Sequence, residues 1–558
     1  MASTKLGKHA KPLSPAPGAR ALCTLGMLSE GAAALAIGVA LFGMVILAGG
    51  MAYMCKVVFL MPNWALLIAA CVFVALIVAV CSGRLGKSLA AFVAHRPKAI
   101  DIAVGIACLL LLVVQIRLCR YYAFVTGWDS GVIVTEAWNI ANNGALSITS
   151  YLSRYPNNLF LLWIAGQCGR IALALGFSTL DGLVFIFSIL NCVSCALAMW
   201  FVYRTLSMAT SRTWGLAGFL LCILVIWTSP WAGIMYSDAI VVCVPAVLAY
   251  LFISAHRSNG VKRVVLFALM GLVGVLGYKI KPQVLFMLFA VGFLLLVWLG
   301  FTIVRAVRER RAECVGGTSA SLVALMVGGL VAFSLVGALV APWTSELDED
   351  AQFGMTHFLM MGMNPDSRGV YWEEDVTFSG SFDDPASRSS GNLEVVIDRV
   401  KEYGPVGLAG LFGDKLMTNF NDGTFAWGQE GHFFDYLPPE SDSALASLVR
   451  SFYYPDGANY DPWRTYAQFV WILVLVCCFV GLISSCTRSF LNRKSGVADD
   501  LVTLTFVVSL AMFMLIVFEL LFEARARYFY SSVTLFIFFA VLGMRWMLSW
   551  ARAWRASR

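Results

Sequence analysis

The sequence repeatedly runs through about 20 consecutive apolar residues, and short loops rich in Lys and Arg separate many of these runs. At 1.5 Å of rise per residue, a helix of about that length crosses the hydrocarbon core of a bilayer. The chain has 558 residues, of which 59% are hydrophobic and only 13% charged. A soluble domain carries about twice that charged fraction. The pattern therefore specifies an all-α polytopic membrane protein, because backbone groups in lipid must be satisfied within the segment itself.

The net charge of +7 does not point to nucleic acid, because the basic residues sit in short loops, where they set orientation. The 15 cysteines fall mostly inside apolar runs, as small hydrophobes do. Cys192 and Cys195 have Cys-x-x-Cys spacing but lie within an apolar helix, which favours packing over a redox or zinc site.

Residues 1–30, with Lys5, Lys8, Lys11 and Arg20 and three prolines, read as a disordered cytoplasmic tail. Spans are expected at about Gly31–Met54, Val58–Cys81, Ile100–Leu118, Asp181–Tyr203, Trp214–Trp227, Ala239 to the loop at His256, Val264–Leu276 and Gln283–Phe301. Four more follow at about Ser319–Val340, Phe469–Ser485, Leu501–Leu521 and Val533–Trp550. These make about twelve spans, with both termini cytoplasmic. Asn158–Gly176, interrupted by Gln167, Gly169 and Arg170, reads as an interfacial or half-buried helix and not a full span. The chain divides into a core over 31–341 with its first exterior loop at 119–180, a hydrophilic region at 342–466, C-terminal spans over 467–550 and a basic tail at 551–558. The hydrophilic region is either a small exterior domain or a loop folded onto the membrane face. Within it, Asn392–Leu416 has helical apolar spacing with a break at Gly404-Pro405.

Basic loops on alternate sides place one set of polar residues on the exterior face at helix ends: Asp129, Arg154, Asp238, Lys279, Lys281, Glu523, Arg525 and Arg527. An acid in such a place, inside the loop Gly127-Trp-Asp129-Ser, is a candidate functional residue. Acids and cations gathered in one cavity suit group transfer from a lipid phosphate: cations neutralise the leaving phosphate and a carboxylate takes the acceptor's proton. Two carboxylates could instead share a divalent ion, Mg or Mn, through Asp129 and Asp238. Each residue also has a structural explanation. Asp129 and Asp238 could cap helices, Lys279, Arg525 and Arg527 could snorkel, and Glu523 with Arg527 could form a helical i,i+4 pair. His357 and His432, in the polar region, read as structural.

In order and sidedness these motifs resemble those of the GT-C glycosyltransferases, in the branch of protein O-mannosyltransferases and the lipid A aminoarabinose transferase. The matching pieces are Gly127-Trp-Asp129-Ser, Arg154-Tyr155-Pro156-Asn157-Asn158-Leu, Thr228-Ser-Pro230 through Asp238, Lys281-Pro282, and the Glu-x-Arg-x-Arg-Tyr run from Glu523 to Tyr528. The resemblance covers roughly Ile100–Ile303 and, more loosely, the last two spans. It implies inverting transfer from a polyprenyl-phosphate sugar to a hydroxyl of a cell-envelope glycan, glycolipid or protein, on the outer face of a bacterial plasma membrane. Asp129 would be the base. Lys279 or Lys281, with Arg525 or Arg527, would hold the phosphate, and Asp238 would orient the acceptor or bind a cation. Arg154, Tyr155, Asn157, Asn158 and Glu523 would complete the substrate site. A second acid used for metal by some members has no clear counterpart; Glu136 is nearest. The rival readings are a polysaccharide polymerase or ligase, a transporter or lipid-linked sugar flippase, and a non-enzymatic scaffold or receptor, which would leave the outer-face acids without a purpose. A flippase would need polar residues through the bilayer midplane, where most spans have none.

Overall fold

The computed structural model describes residues 18–46, 59–309, 313–430 and 443–558. It is 84% helical, and no strand occurs among the described residues. Eleven helices there are long and apolar enough to cross a membrane. The twelfth expected span is a shorter apolar helix, Arg212–Trp227, whose last turn widens into a π-helix at Ile223–Trp227.

The first eight helices are α1 (Ala19–Ile46), α2 (Asn63–Ser82), α3 (Arg84–His95), α4 (Pro97–Tyr122), α5 (Trp128–Asn143), α6 (Thr149–Arg154), α7 (Leu159–Ala174) and α8 (Leu180–Ala209). Next come α9 (Arg212–Cys222), α10 (Ser237–Ile240), α11 (Val244–His256), α12 (Gly260–Tyr278), α13 (Leu285–Glu309) and α14 (Glu313–Thr344). The hydrophilic region supplies α15 (Met355–Gly362), α16 (Glu373–Gly380), α17 (Pro385–Phe420), α18 (Trp427–Glu430) and α19 (Ala444–Tyr453). The chain closes with α20 (Tyr460–Ser495), α21 (Asp500–Leu521) and α22 (Val533–Ala556).

α1 begins twelve residues before the expected span, so residues 19–30 are helical and not a tail. The reason is packing: Leu22, Cys23 and Gly26 are buried, and buried Glu30 accepts a hydrogen bond from Ser489 Oγ of α20 at 2.8 Å. Residues 1–17 of the expected tail, residues 47–54 of the first expected span and His432 lie outside the described residues.

Close crossings use glycine. A Cβ on Gly481 of α20 would lie 1.9 Å from the Phe539 carbonyl oxygen of α22, and one on Gly543 would lie 1.9 Å from that of Cys477. Only a residue without a side chain lets these backbones meet so closely, a common device between membrane helices. Other helix faces point apolar side chains outward, for example Ile68, Val72 and Leu76 of α2 and Leu109, Leu110 and Val113 of α4. Such a surface suits lipid rather than water.

Basic loops meet at one end of the bundle. There Asp101 pairs with Arg212 at 2.8 Å and Arg204 at 3.6 Å, and Asp500 with Arg257 at 2.7 Å. The loops carrying Asp129, Asp238, Lys281 and Glu523 gather at the other end. The hydrophilic region folds over that end. Phe353 N donates to Arg154 O at 3.0 Å and Ala524 N to Gly369 O at 2.8 Å. Lys415 Nζ of α17 donates to Gly362 O at 2.8 Å and to Phe522 O at 2.5 Å. α17 breaks where the Gly-Pro pair predicts: Gly404 takes φ 55°, a left-handed value that glycine adopts without penalty.

Candidate active site

The first loop is fixed from below. Ser130 Oγ donates to Met235 O of the next loop. That loop is held in turn by Asn191 Nδ2, which donates to Ala232 O at 3.2 Å and Ile234 O at 2.8 Å. Trp231 Nε1 donates to Thr424 O at 3.1 Å, which ties the 228–238 loop to the buried Asn421–Trp427 stretch. Arg450 Nε of α19 donates to Tyr121 O at 2.7 Å. Four distant parts of the chain thus frame one loop.

Asp129 is exposed. The helix cap position is Gly127, and no side chain makes a cap bond there, so Asp129 does not cap α5. Its Oδ1 accepts from the Tyr151 hydroxyl at 2.7 Å, and Asn158 Nδ2 donates to that same hydroxyl at 2.9 Å. The chain Asn158 to Tyr151 to Asp129 orients the carboxylate while leaving its other oxygen open to a substrate. Burial and the adjacent Asp129 charge push the Tyr151 phenol well above its usual range, so it remains a donor. Trp128, just before Asp129, sits at φ 56°. For a bulky residue this left-handed value costs about 1–3 kcal/mol.

Asp238 has opposite surroundings. It is 0% exposed and lies in the first turn of α10, whose cap position is Tyr236. Its Oδ1 pairs with Lys281 Nζ at 2.9 Å. Lys281 also lies 4.3 Å from the Tyr528 ring centroid. The two lysines of the Lys281-Pro282 turn diverge: Lys279 Nζ stands 4.1 Å from the ring of Phe333 on α14.

The run from Glu523 to Tyr528 is not a regular helix. α21 ends at Leu521, and a 3-10 helix covers Ala526–Ser532, so Glu523 and Arg527 are not a helical i,i+4 pair. Arg527 is buried, with its guanidinium carbon 4.0 Å from the Tyr236 ring centroid. Burial raises the Glu523 carboxyl pKa, Arg527 and Arg525 oppose the rise, and the Asp129 charge adds to it. Asp129 and this run are therefore electrostatic neighbours. Tyr155 joins them: burial, Asp129 and Glu523 raise its phenol, against the opposing charge of Arg154. Arg154 and Asn157 are exposed. Asn157 Nδ2 reaches Asn158 Oδ1 at 3.4 Å.

Two residues that motif reading passed over belong here. Glu519 is fully buried in α21, and its Oε1 accepts from Gln283 Nε2 at 3.3 Å. Lys415 is also fully buried; burial lowers its pKa to about 7, with Glu519 and Glu523 opposing.

A divalent ion shared by Asp129 and Asp238 does not fit these residues. Asp238 is already neutralised by Lys281, Asp129 is bound to a phenol, and no cluster of three or more His, Cys, Asp or Glu able to hold a metal occurs among the described residues. Glu136 is committed elsewhere, accepting from Ser147 N at 2.5 Å and Ser147 Oγ at 2.6 Å. His357 is buried against Ser379 Oγ at 2.7 Å, and burial lowers its pKa to about 4.

Among solved structures, the chain is similar to ArnT from Cupriavidus metallidurans bound to undecaprenyl phosphate, with 12% identity over 77% of each chain and a TM-score of 0.31. It is likewise similar to ArnT from the same organism in the apo state, with 10% identity over 75% of this chain and 77% of that one, and a TM-score of 0.29. No curated protein matches the sequence. The family described as conserved hypothetical integral membrane protein matches residues 50–547, and the chain belongs to that family.

Proposed function

We propose that this protein is a membrane glycosyltransferase of the GT-C type, moving a sugar from a polyprenyl-phosphate donor to an acceptor hydroxyl with Asp129 as general base. The observation that carries the reading is that Asp129, oriented by Tyr151, and Arg527 are tied to the same loop: Ser130 Oγ donates to Met235 O, and the Arg527 guanidinium lies 4.0 Å from the ring of Tyr236. An exposed carboxylate and a guanidinium gathered on one loop supply both halves of the chemistry.

In the proposed reaction the acceptor oxygen bonds to the anomeric carbon while Asp129 takes its proton. The bond from that carbon to the phosphate oxygen breaks on the opposite face, which inverts the centre. Polyprenyl phosphate leaves with the electron pair, and Arg527 and Arg525 meet its charge. A preformed cationic site lowers the barrier because it needs no reorganisation as charge develops. Lys281, held against Asp238, forms a balanced buried pair that steadies the loop beside the site. The site would face the exterior of a bacterial plasma membrane, with both termini cytoplasmic and an envelope glycan, glycolipid or protein as acceptor.

The test is purified protein with a panel of polyprenyl-phosphate sugars and release of polyprenyl phosphate as the readout. Release with one donor supports transfer. Movement of a donor across a vesicle bilayer without release would favour a flippase, and chain growth on a lipid-linked oligosaccharide would favour a polymerase or ligase.

A further inference from the structure

Trp128 combines two features that stability alone does not favour. Its backbone is in the left-handed region, φ 56°, where glycine or asparagine is the usual occupant. Its side chain is 49% exposed. A strained backbone that holds a large ring in the open is explained by what the ring does there.

The ring faces Tyr371 of the hydrophilic region, with centroids 6.5 Å apart and planes tilted by 46°. Tyr371 is steadied by a small cluster in which Phe353, Met361 and Val376 pack with Tyr155 and Phe358. Its hydroxyl donates to Glu373. Tyr371 therefore ends at the carboxylate of Glu373, and it also feels the charge of Asp129, the residue that follows Trp128 in the chain. Two rings meeting at an angle, with acids close by, match a pyranose. The C–H face of the sugar lies on the aromatic surface, and its hydroxyls donate to the acids.

We propose that Trp128 and Tyr371 form an aromatic floor that binds a pyranose ring beside Asp129. This rests on the glycosyl-transfer reading for its role, since the ring bound there would be that of the donor or acceptor sugar. An interfacial anchor is the competing use of an exposed Trp. Such anchors have a different appearance in this same molecule. Trp546, Trp550 and Trp554 are exposed at successive i,i+4 positions of α22, forming one stripe with no positive φ. Trp128 instead pairs with a residue of the hydrophilic region and adjoins an acid.

The test is saturation-transfer NMR on the detergent-solubilised full chain with methyl α-mannopyranoside, methyl β-glucopyranoside, methyl β-galactopyranoside and methyl β-xylopyranoside. Saturation is expected on the ring C–H protons of at least one of them. Trp128→Phe should retain it and Trp128→Gly should lose it at least tenfold. Glycine relieves the strain at φ 56°, so the thermal midpoint of Trp128→Gly should not drop, and lost binding is then not lost folding. No pyranoside bound by the wild type, or equal binding by Trp128→Gly, would overturn the proposal. The two readings fail separately. Pyranoside binding without polyprenyl-phosphate release would sink the transfer reading and leave the floor standing, whereas release with binding indifferent to Trp128 would do the reverse.

Discussion

Asp129 and Asp238 are both acids lying just past a membrane helix in neighbouring loops, yet their surroundings are opposite. Asp129 is exposed and receives one phenolic hydrogen bond. Asp238 is wholly buried and paired with Lys281 at 2.9 Å. An acid that reacts must be reachable and must tolerate gaining a proton. An acid that compensates a buried cation must do neither, because protonation would strand the lysine. Under the proposed function, the contrast gives chemistry to the first and scaffolding to the second.

The sharpest way to break this contrast is to remove the buried acid. Asp238→Ala leaves Lys281 charged and unpaired in a dry site, which should cost about 3–5 kcal/mol. Thermal unfolding in detergent should show the loss. The double replacement Asp238→Leu with Lys281→Met should recover most of it, because a buried pair is worth little against a packed apolar isostere. If the single variant is as stable as the wild type, the scaffolding role is wrong.

Lys415 offers the next largest effect, on the side of buried cations. Its pKa is lowered to about 7 in the folded protein, against about 10.4 when unperturbed. Between those values the unfolded chain binds more protons, so stability rises with pH, while below pH 7 the full cost of burying the charge is present. Relative to Lys415→Met, the wild type should gain about 2 kcal/mol between pH 7 and about pH 8.5. Parallel stability curves would mean that Lys415 keeps its proton throughout.

A smaller effect is expected on the open acid's support. Tyr151→Phe removes the hydroxyl that orients Asp129 and should lower kcat about tenfold, equivalent to about 1.4 kcal/mol, with little change in thermal midpoint. At the bottom of the scale, Lys401 and Asp398 pair at 2.9 Å but are 70% and 66% exposed. Asp398→Ala should leave stability within the small range of exposed ion pairs, which makes it the control for the Asp238 variant.

Much of the fold was legible because lipid imposes a simple rule: about 20 apolar residues make a crossing. The rule does not find helix ends. α1 extends back to Ala19 because Glu30 finds Ser489 in α20, a partner distant in sequence. Some of the candidate site stands in recognisable stretches too: exposed Asp129, half-buried Tyr155 and Asn158, and buried Arg527. The partners of its buried charges were not. Lys279 and Lys281 look equivalent on paper, but a turn separates them, so that one meets Phe333 and the other Asp238. Lys415 looks like an ordinary polar residue until α17 brings it to carbonyls 53 and 107 residues away. Glu519 did carry a signal, as an acid inside an otherwise apolar span, but its meaning depends on Gln283 and Lys415 arriving from other elements.

The central claim is that Asp129 takes the acceptor's proton, and the direct measurement is the rate of polyprenyl-phosphate release by Asp129→Asn beside the wild type, with the same donor and acceptor. General-base catalysis contributes about 10²–10⁴-fold, so release should fall at least about 100-fold while expression and thermal midpoint stay unchanged. A rate within a few-fold of the wild type would contradict the assignment.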